Sequence, residues 1–187
     1  MIIKTIFIPI YLSLLFSYKD TNVDVIHWSK ETKLTFNDFK GKYKEEQDLY
    51  AKTHGLAKIK FCIFVQNEVI NNDISFKIYA AADRNESWIK SNTDTASLIH
   101  EQGHFDICEI YARKLRRSII KAKSLNEAHY MYKKYIKKLE RESIKFDKHN
   151  SGIHDGIQKK WKYKIQAMLE NLDYYDIPEI TIHLKTK

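Results

Sequence analysis

The sequence predicts an α+β domain: a small antiparallel sheet packed against a helix that carries a His-Glu-x-x-His motif, followed by two further helices. Three observations predict it. Two neighbouring segments alternate apolar and polar residues with a period of two. Three later segments repeat apolar residues at helical spacing. Turn formers are scarce, with 5 Gly and 2 Pro in 187 residues, which argues against an all-β domain built from many tight turns.

Composition bounds the class. The length suits one domain rather than two of full size. Hydrophobic residues make up 43% and aromatic residues 13%, enough for a packed core, so a disordered chain is excluded. The chain carries 32 Lys and Arg against 24 Asp and Glu, a net charge of +8. Such a balance suits an anionic partner such as nucleic acid or a membrane surface. The excess is local, however. Residues 113–145 hold 12 basic and 3 acidic side chains, and the remainder holds 20 and 21.

Residues 1–17, MIIKTIFIPIYLSLLFS, place Lys4 ahead of an apolar run from Thr5 to Phe16. A run this short suits a signal-peptide core better than a membrane span. Residues 18–187 are then a single exported domain, secreted or periplasmic, with no membrane span once the signal is removed. An uncleaved N-terminal anchor is the alternative. Ile26 to Gly41 predicts a short strand and a turn. Ile59, Phe61, Ile63 and Val65 share one face of a strand over 56–66, and Ile74, Phe76, Ile78 and Ala80 one face of a strand over 74–82. Asn71-Asn72-Asp73 between them supplies turn chemistry, so the pair reads as an antiparallel hairpin.

A helix follows, capped at Thr93, Asp94 or Thr95 and running to Arg117 or Lys121. Taking about 100° per residue from His100, His104 falls at about 40°, Tyr111 at about 20°, Leu115 at about 60° and Cys108 at about 80°. Asp106, Glu109, Arg113, Arg116 and Arg117 fall on the far side. This is the pattern of an amphipathic helix with both histidines inward and the charges outward. Ser124 and Glu127 have capping-box spacing and open a second helix to about Lys145, with Tyr132, Tyr135, Ile136 and Leu139 as its apolar stripe. Asn150-Ser151-Gly152 breaks the pattern. A third helix over Asp155–Leu172 carries Ile157, Trp161, Ile165, Met168, Leu169 and Leu172 on one side, and Glu179–Leu184 predicts a last short strand. Cys62 and Cys108 either pair after export or remain two small buried hydrophobes.

The chemistry lies in His100-Glu101-Gln102-Gly103-His104. A helix puts residues i and i+4 on one face, about 6 Å apart, so both imidazoles can reach one metal ion. Neutral imidazole is a good ligand for Zn²⁺. Zinc lowers the pKa of bound water from about 15.7 to about 7. Glu101 would take the water's proton and later deliver it to the leaving amine. With 8 His in the chain, random placement yields about 0.02 such motifs, so the signal is specific. Gly103 costs helix propensity, about 0.8–1 kcal/mol against Ala. A small residue there would let a neighbouring element approach closely.

A catalytic zinc site needs a third protein ligand. Glu127, His129, Asp147, His149 and His154 are the candidates downstream, and spacing alone does not choose among them. The capping box accounts for Glu127 equally well. His27, His54 and His183 have weaker claims. Tyr111 shares the histidine face, where an aromatic side chain ordinarily belongs to the core.

Leu98-Ile99-His100-Glu101-Gln102-Gly103-His104-Phe105-Asp106-Ile107, with Glu109, Ala112, Arg113, Leu115 and Arg116, resembles the signature of a bacterial family of presumed secreted zinc peptidases, catalogued as domain of unknown function number 922. Leu34-Thr35-Phe36-Asn37-Asp38-Phe39-Lys40-Gly41, Thr53-His54-Gly55 and Ser87-Trp88-Ile89 resemble further pieces of it in order, as do Phe146-Asp147, His154, Gln158 and Trp161. The resemblance covers most of residues 28–170. It implies a zincin-like fold, His100 and His104 as zinc ligands, Glu101 as catalytic base and His154 as third ligand. The spacing from Asp147 to His154 is longer here than in the family pattern, which keeps Asp147 and His149 as alternatives.

The expectation is an exported zinc-dependent metallohydrolase, a peptidase acting on peptide or protein substrates. The rival is a non-catalytic exported binding module whose basic helices hold anionic cell-envelope polymers. Nucleic acid is not an expected partner, since no nucleic-acid motif is recognisable.

Overall fold

The computed structural model describes residues 24–43, 56–70, 73–91, 95–150 and 155–183. The proposed leader at 1–17, His54 and His154 lie outside the described residues. Four strands form one antiparallel sheet: β1 (Val25–His27), β2 (Ala57–Ile70), β3 (Asp73–Ile89) and β4 (Glu179–His183). Three helices follow β3 before β4 closes the order: α1 (Thr95–Ile119), α2 (Leu125–Asn150) and α3 (Asp155–Glu170). Single 3₁₀ turns occur at Phe36–Asp38 and Asp173–Tyr175. This is the α+β layout that the periodicities predict. Among the described residues no helix is long and apolar enough to cross a membrane.

β3 is the central strand. One side pairs with β2 along its length, and the other pairs with β4 over Asp73–Lys77 and with β1 over Ala81–Asp83. The two hairpin strands exceed their predicted lengths, because the ladder runs from Ala57↔Ile89 to Ile70↔Asp73 and carries polar residues beyond the apolar alternation. The predicted inward face holds: Ile59, Ile63, Ile74, Phe76, Ile78 and Ala80 are buried, and Phe61 and Val65 pack against that core. The register breaks once. Lys58 faces Trp88 and Lys60 faces Asp83, so β3 bulges outward over 84–87. Gly41 lies against this bulge. Its N–H donates to the Ser87 carbonyl at 2.7 Å, and a Cβ there would stand 2.7 Å from the carbonyl oxygens of both Asn85 and Ser87. Asp38 holds the same stretch, accepting from Arg84 Nε at 2.8 Å and from the Thr35 amide at 2.8 Å.

Helix α2 opens as its sequence suggests, with one change. The Glu127 amide donates to Ser124 Oγ at 3.2 Å, but the Glu127 carboxylate accepts from the Lys123 amide at 2.8 Å, one residue before the usual box partner. Leu139 in the predicted stripe of α2, and Trp161, Ile165 and Leu172 in that of α3, are buried. Cys62 and Cys108 do not pair; both are free thiols, Cys108 fully buried.

The expected outward face of α1 is overturned in part: Arg117 is exposed and Asp106 partly so, but the other three charges are internal. Glu109, Arg113 and Arg116 are all buried, at 2%, 3% and 1% exposure. The sheet covers one side of α1, α2 another, and α3 with the following 3₁₀ turn a third, so that between Glu101 and Arg116 only Gln102, Asp106 and Lys114 are even partly exposed. The charges satisfy one another instead. Glu109 accepts from Arg113 Nε at 3.1 Å and from Arg116 at 3.0 Å. Arg116 also donates to the Ile78 carbonyl of β3 at 2.9 Å and to the Tyr175 carbonyl. Arg113 donates to the Leu169 carbonyl at the end of α3, at 3.0 Å. Two of the twelve basic residues of the 113–145 segment are therefore internal. Removing one member of a buried charge set strands the others. Glu109→Ala is expected to destabilise the fold by about 3–5 kcal/mol, read as a lowered urea midpoint with unchanged slope.

Candidate metal centre

Residues 95–119 form one unbroken helix, so His100 and His104 lie one turn apart on the same face. Their Nε2 atoms stand 3.1 Å apart. A third group arrives from α2: Asp147 Oδ1 lies 3.1 Å from His100 Nε2 and 2.7 Å from His104 Nε2. Among the described residues this is the one His, Cys, Asp and Glu group able to hold a metal ion. Asp147 was one of several third-ligand candidates in the sequence, and the fold brings it to the pair across 43 residues.

The donor set fits a cation better than it fits itself. Asp147 Oδ1 can accept from both imidazoles only if both Nε2 atoms carry protons. Two N–H groups would then face each other at 3.1 Å. At most two of the three short contacts can therefore be hydrogen bonds, whereas a cation satisfies three lone pairs at once. Zn²⁺ bonds of about 2.0–2.1 Å place tetrahedral ligands about 3.3–3.4 Å apart, close to the separations here. Burial pushes the Asp147 carboxyl up, but its hydrogen bonds to His100 and His104, with their charge, hold it well below the usual carboxylate range. His104 Nδ1 is buried without a hydrogen-bond partner, so its ring is oriented by packing.

That packing centres on Phe146, the neighbour of Asp147. Its ring stacks on His100 at 4.8 Å between centroids and meets His104 edge-on at 4.9 Å. It also lies over Gly103, where a Cβ would approach its Cζ to 2.5 Å. The helix cost of Gly103 is thus explained: the absent side chain lets α2 come close enough to deliver Asp147. Phe61 of β2 stacks on His104 from the sheet side, at 6.0 Å.

Glu101 is buried beside the cluster. Its Oε2 accepts from the Ile59 amide at 2.8 Å, at the point where the β2 register breaks. Burial raises its carboxyl pKa, against the charge of His104 and His100 and the Ile59 hydrogen bond. Gln102 faces the other way. Its side chain accepts from the Leu34 amide at 2.8 Å and donates to Asp106 at 2.8 Å, and Asp106 also accepts from Trp28 Nε1 at 2.9 Å. The 28–34 segment is thereby pinned along α1. No sequence signal singled out Trp28, Phe146 as a packing residue, or the Ile59 amide.

The remaining candidates fall elsewhere. His149 Nδ1 accepts from Trp161 Nε1 at 3.2 Å. Glu127 is engaged at the start of α2, and His129 is not part of the cluster. Tyr111 belongs to the core, its hydroxyl pushed up to about 12 by burial. His27 lies against Tyr79 with the rings tilted by 44°, and His183 pairs with Asp73.

Fold and cluster together define an α+β chain with a His, His, Asp site between its first two helices, flanked by a buried glutamate. No protein-family model, curated protein or solved structure matches the chain, so the likeness to the peptidase family rests on the motifs themselves.

The Gly103–Phe146 contact makes a prediction that stability alone does not. If the cluster holds zinc, Gly103→Ala is expected to weaken its binding about 10- to 100-fold, as disturbed supports of metal ligands do. Pairing it with Phe146→Leu should restore part of the affinity. Competition with a chromophoric chelator checks both.

Proposed function

We propose that this chain is an exported zinc-dependent metallohydrolase of zincin-like type that cleaves peptide bonds. The observation that carries the reading is the meeting of His100, His104 and Asp147 within 4.8 Å, with Glu101 buried alongside on the same helix. His100, His104 and Asp147 would hold the ion. When bound, zinc would supply a Lewis acid for the scissile carbonyl and lower the pKa of a bound water to about 7. Glu101 acts as general base, taking a proton from the attacking water and passing it to the departing amine. Its hydrogen bond to Ile59 fixes the carboxylate before substrate arrives. Asp147 balances one positive charge, and Phe146 and Phe61 hold the imidazole planes.

Asp147 takes the role of third ligand in this reading, in preference to His149, whose ring is turned to Trp161. Purified full-length protein should contain one zinc per chain. Glu101→Gln should keep that zinc and lose about 10²- to 10⁴-fold of its activity on casein or a peptide library. A correctly folded protein that takes up no zinc would favour a binding module instead. Asp147→Asn should lose zinc affinity while His149→Ala keeps it; His154→Ala belongs beside them, and a zinc loss in that variant alone would return the third-ligand role to His154.

A further inference from the structure

A cavity of about 690 Å³ opens beside the cluster, between the 28–33 segment, α1 and α3. Its size falls within the range of small-ligand and peptide side-chain sites. His100 and Gly103 form part of its wall, so the space reaches one of the two imidazoles. Trp28, Phe146, Trp161 and Ile165 contribute broad apolar surface to it. The charged lining residues are unequal in kind. Arg113 is bound to Glu109 and reaches Asp173 at 3.4 Å, Asp106 accepts from Trp28 and Gln102, and Glu170 accepts from Gln166 at 3.0 Å. Four lysines remain: Lys30, Lys33, Lys159 and Lys162. All four are exposed. Among the described residues none of them lies within ion-pairing distance of a carboxylate, although Lys33 acts on the Asp106 charge from farther away.

We propose that this cavity is the substrate subsite of the centre, and that it selects peptides carrying a bulky aromatic or aliphatic side chain next to an Asp or Glu. The apolar walls take the first side chain out of water, where an aromatic group contributes the largest buried area. The exposed lysines complement the adjacent carboxylate, which sets partner choice and association rate. A basic peptide would place like charges together and is rejected. The identification of the cavity as a substrate site rests on the metallohydrolase reading; its preference for such peptides does not.

The test uses capped, fluorescently labelled peptides and the full-length Glu101→Gln protein loaded with zinc, so that binding is read without turnover. A peptide containing Phe-Glu should bind at least about tenfold more tightly than its Phe→Ala or Glu→Lys counterparts. Raising the salt concentration should weaken it. Lys159→Glu with Lys162→Glu should remove the charge preference or reverse it. Both sites are exposed, so the variant should fold. Ile165→Trp should fill the cavity and lessen the preference for Phe. Equal affinity for all the peptides, no binding of any, or lysine variants that bind like the parent would overturn the proposal. The hydrolase reading fails separately. If wild-type protein binds with this preference and never cleaves, the selectivity stands and the reaction does not. If it cleaves without preference, the reaction stands and the subsite does not.

Discussion

The structure depends on enclosing one helix. α1 touches the sheet, α2, α3 and the final 3₁₀ turn, and its middle turns stay partly open only at Gln102, Asp106 and Lys114. A helix so placed cannot send its charged side chains outward. Glu109 therefore pairs with both arginines inside, Asp173 lies 3.4 Å from Arg113 as a second carboxylate, and the spare donors of the two arginines reach carbonyl oxygens of β3, α3 and the Tyr175 turn. Three separate pieces of the fold are tied to one buried carboxylate. The arrangement is directional where hydrophobic contact is not, so it fixes how α1 is rotated between its neighbours. Rotation about that axis is what aims His100, Glu101 and His104.

The site then draws on three elements with distinct tasks. α1 supplies two imidazoles and the glutamate. α2 supplies Asp147, and its approach is limited by the Phe146 ring meeting the bare backbone at Gly103. β2 supplies the Ile59 amide at the one place where its ladder with β3 is interrupted. That interruption in turn leans on Gly41 and on the Asp38–Arg84 pair, which hold the bulge of β3. Residues far from the cluster in sequence thus decide where Glu101 sits.

Much of this was legible in the chain. The alternation of Ile59 to Val65 and of Ile74 to Ala80 fixes strand faces, because a one-residue slip would expose the whole set. The histidine spacing placed both rings on one face, as found. The charge on α1 was misread for a physical reason: periodicity counts a charged residue as external, and cannot see that Glu109 has two arginine partners at helical spacing. The third ligand was also out of reach of spacing. Asp147, His149 and His154 differ by only a few residues, and nothing local says which one the end of α2 turns toward His100. Gly103 was the one local clue, since a glycine in mid-helix costs stability without a return inside the helix itself. Its partner ring could be named only once α2 was in place.

The hydrogen bond from Ile59 to Glu101 bears on timing. A glutamate has three rotatable bonds, and holding such a side chain in one rotamer costs about 1.5–2 kcal/mol of entropy. Here that loss is incurred when the strand and helix come together, not when a ligand arrives. Glu101 is already confined to one orientation, with one oxygen committed to the sheet. The ordering of this carboxylate therefore belongs to folding, and a ligand reaching the cluster meets it already in place.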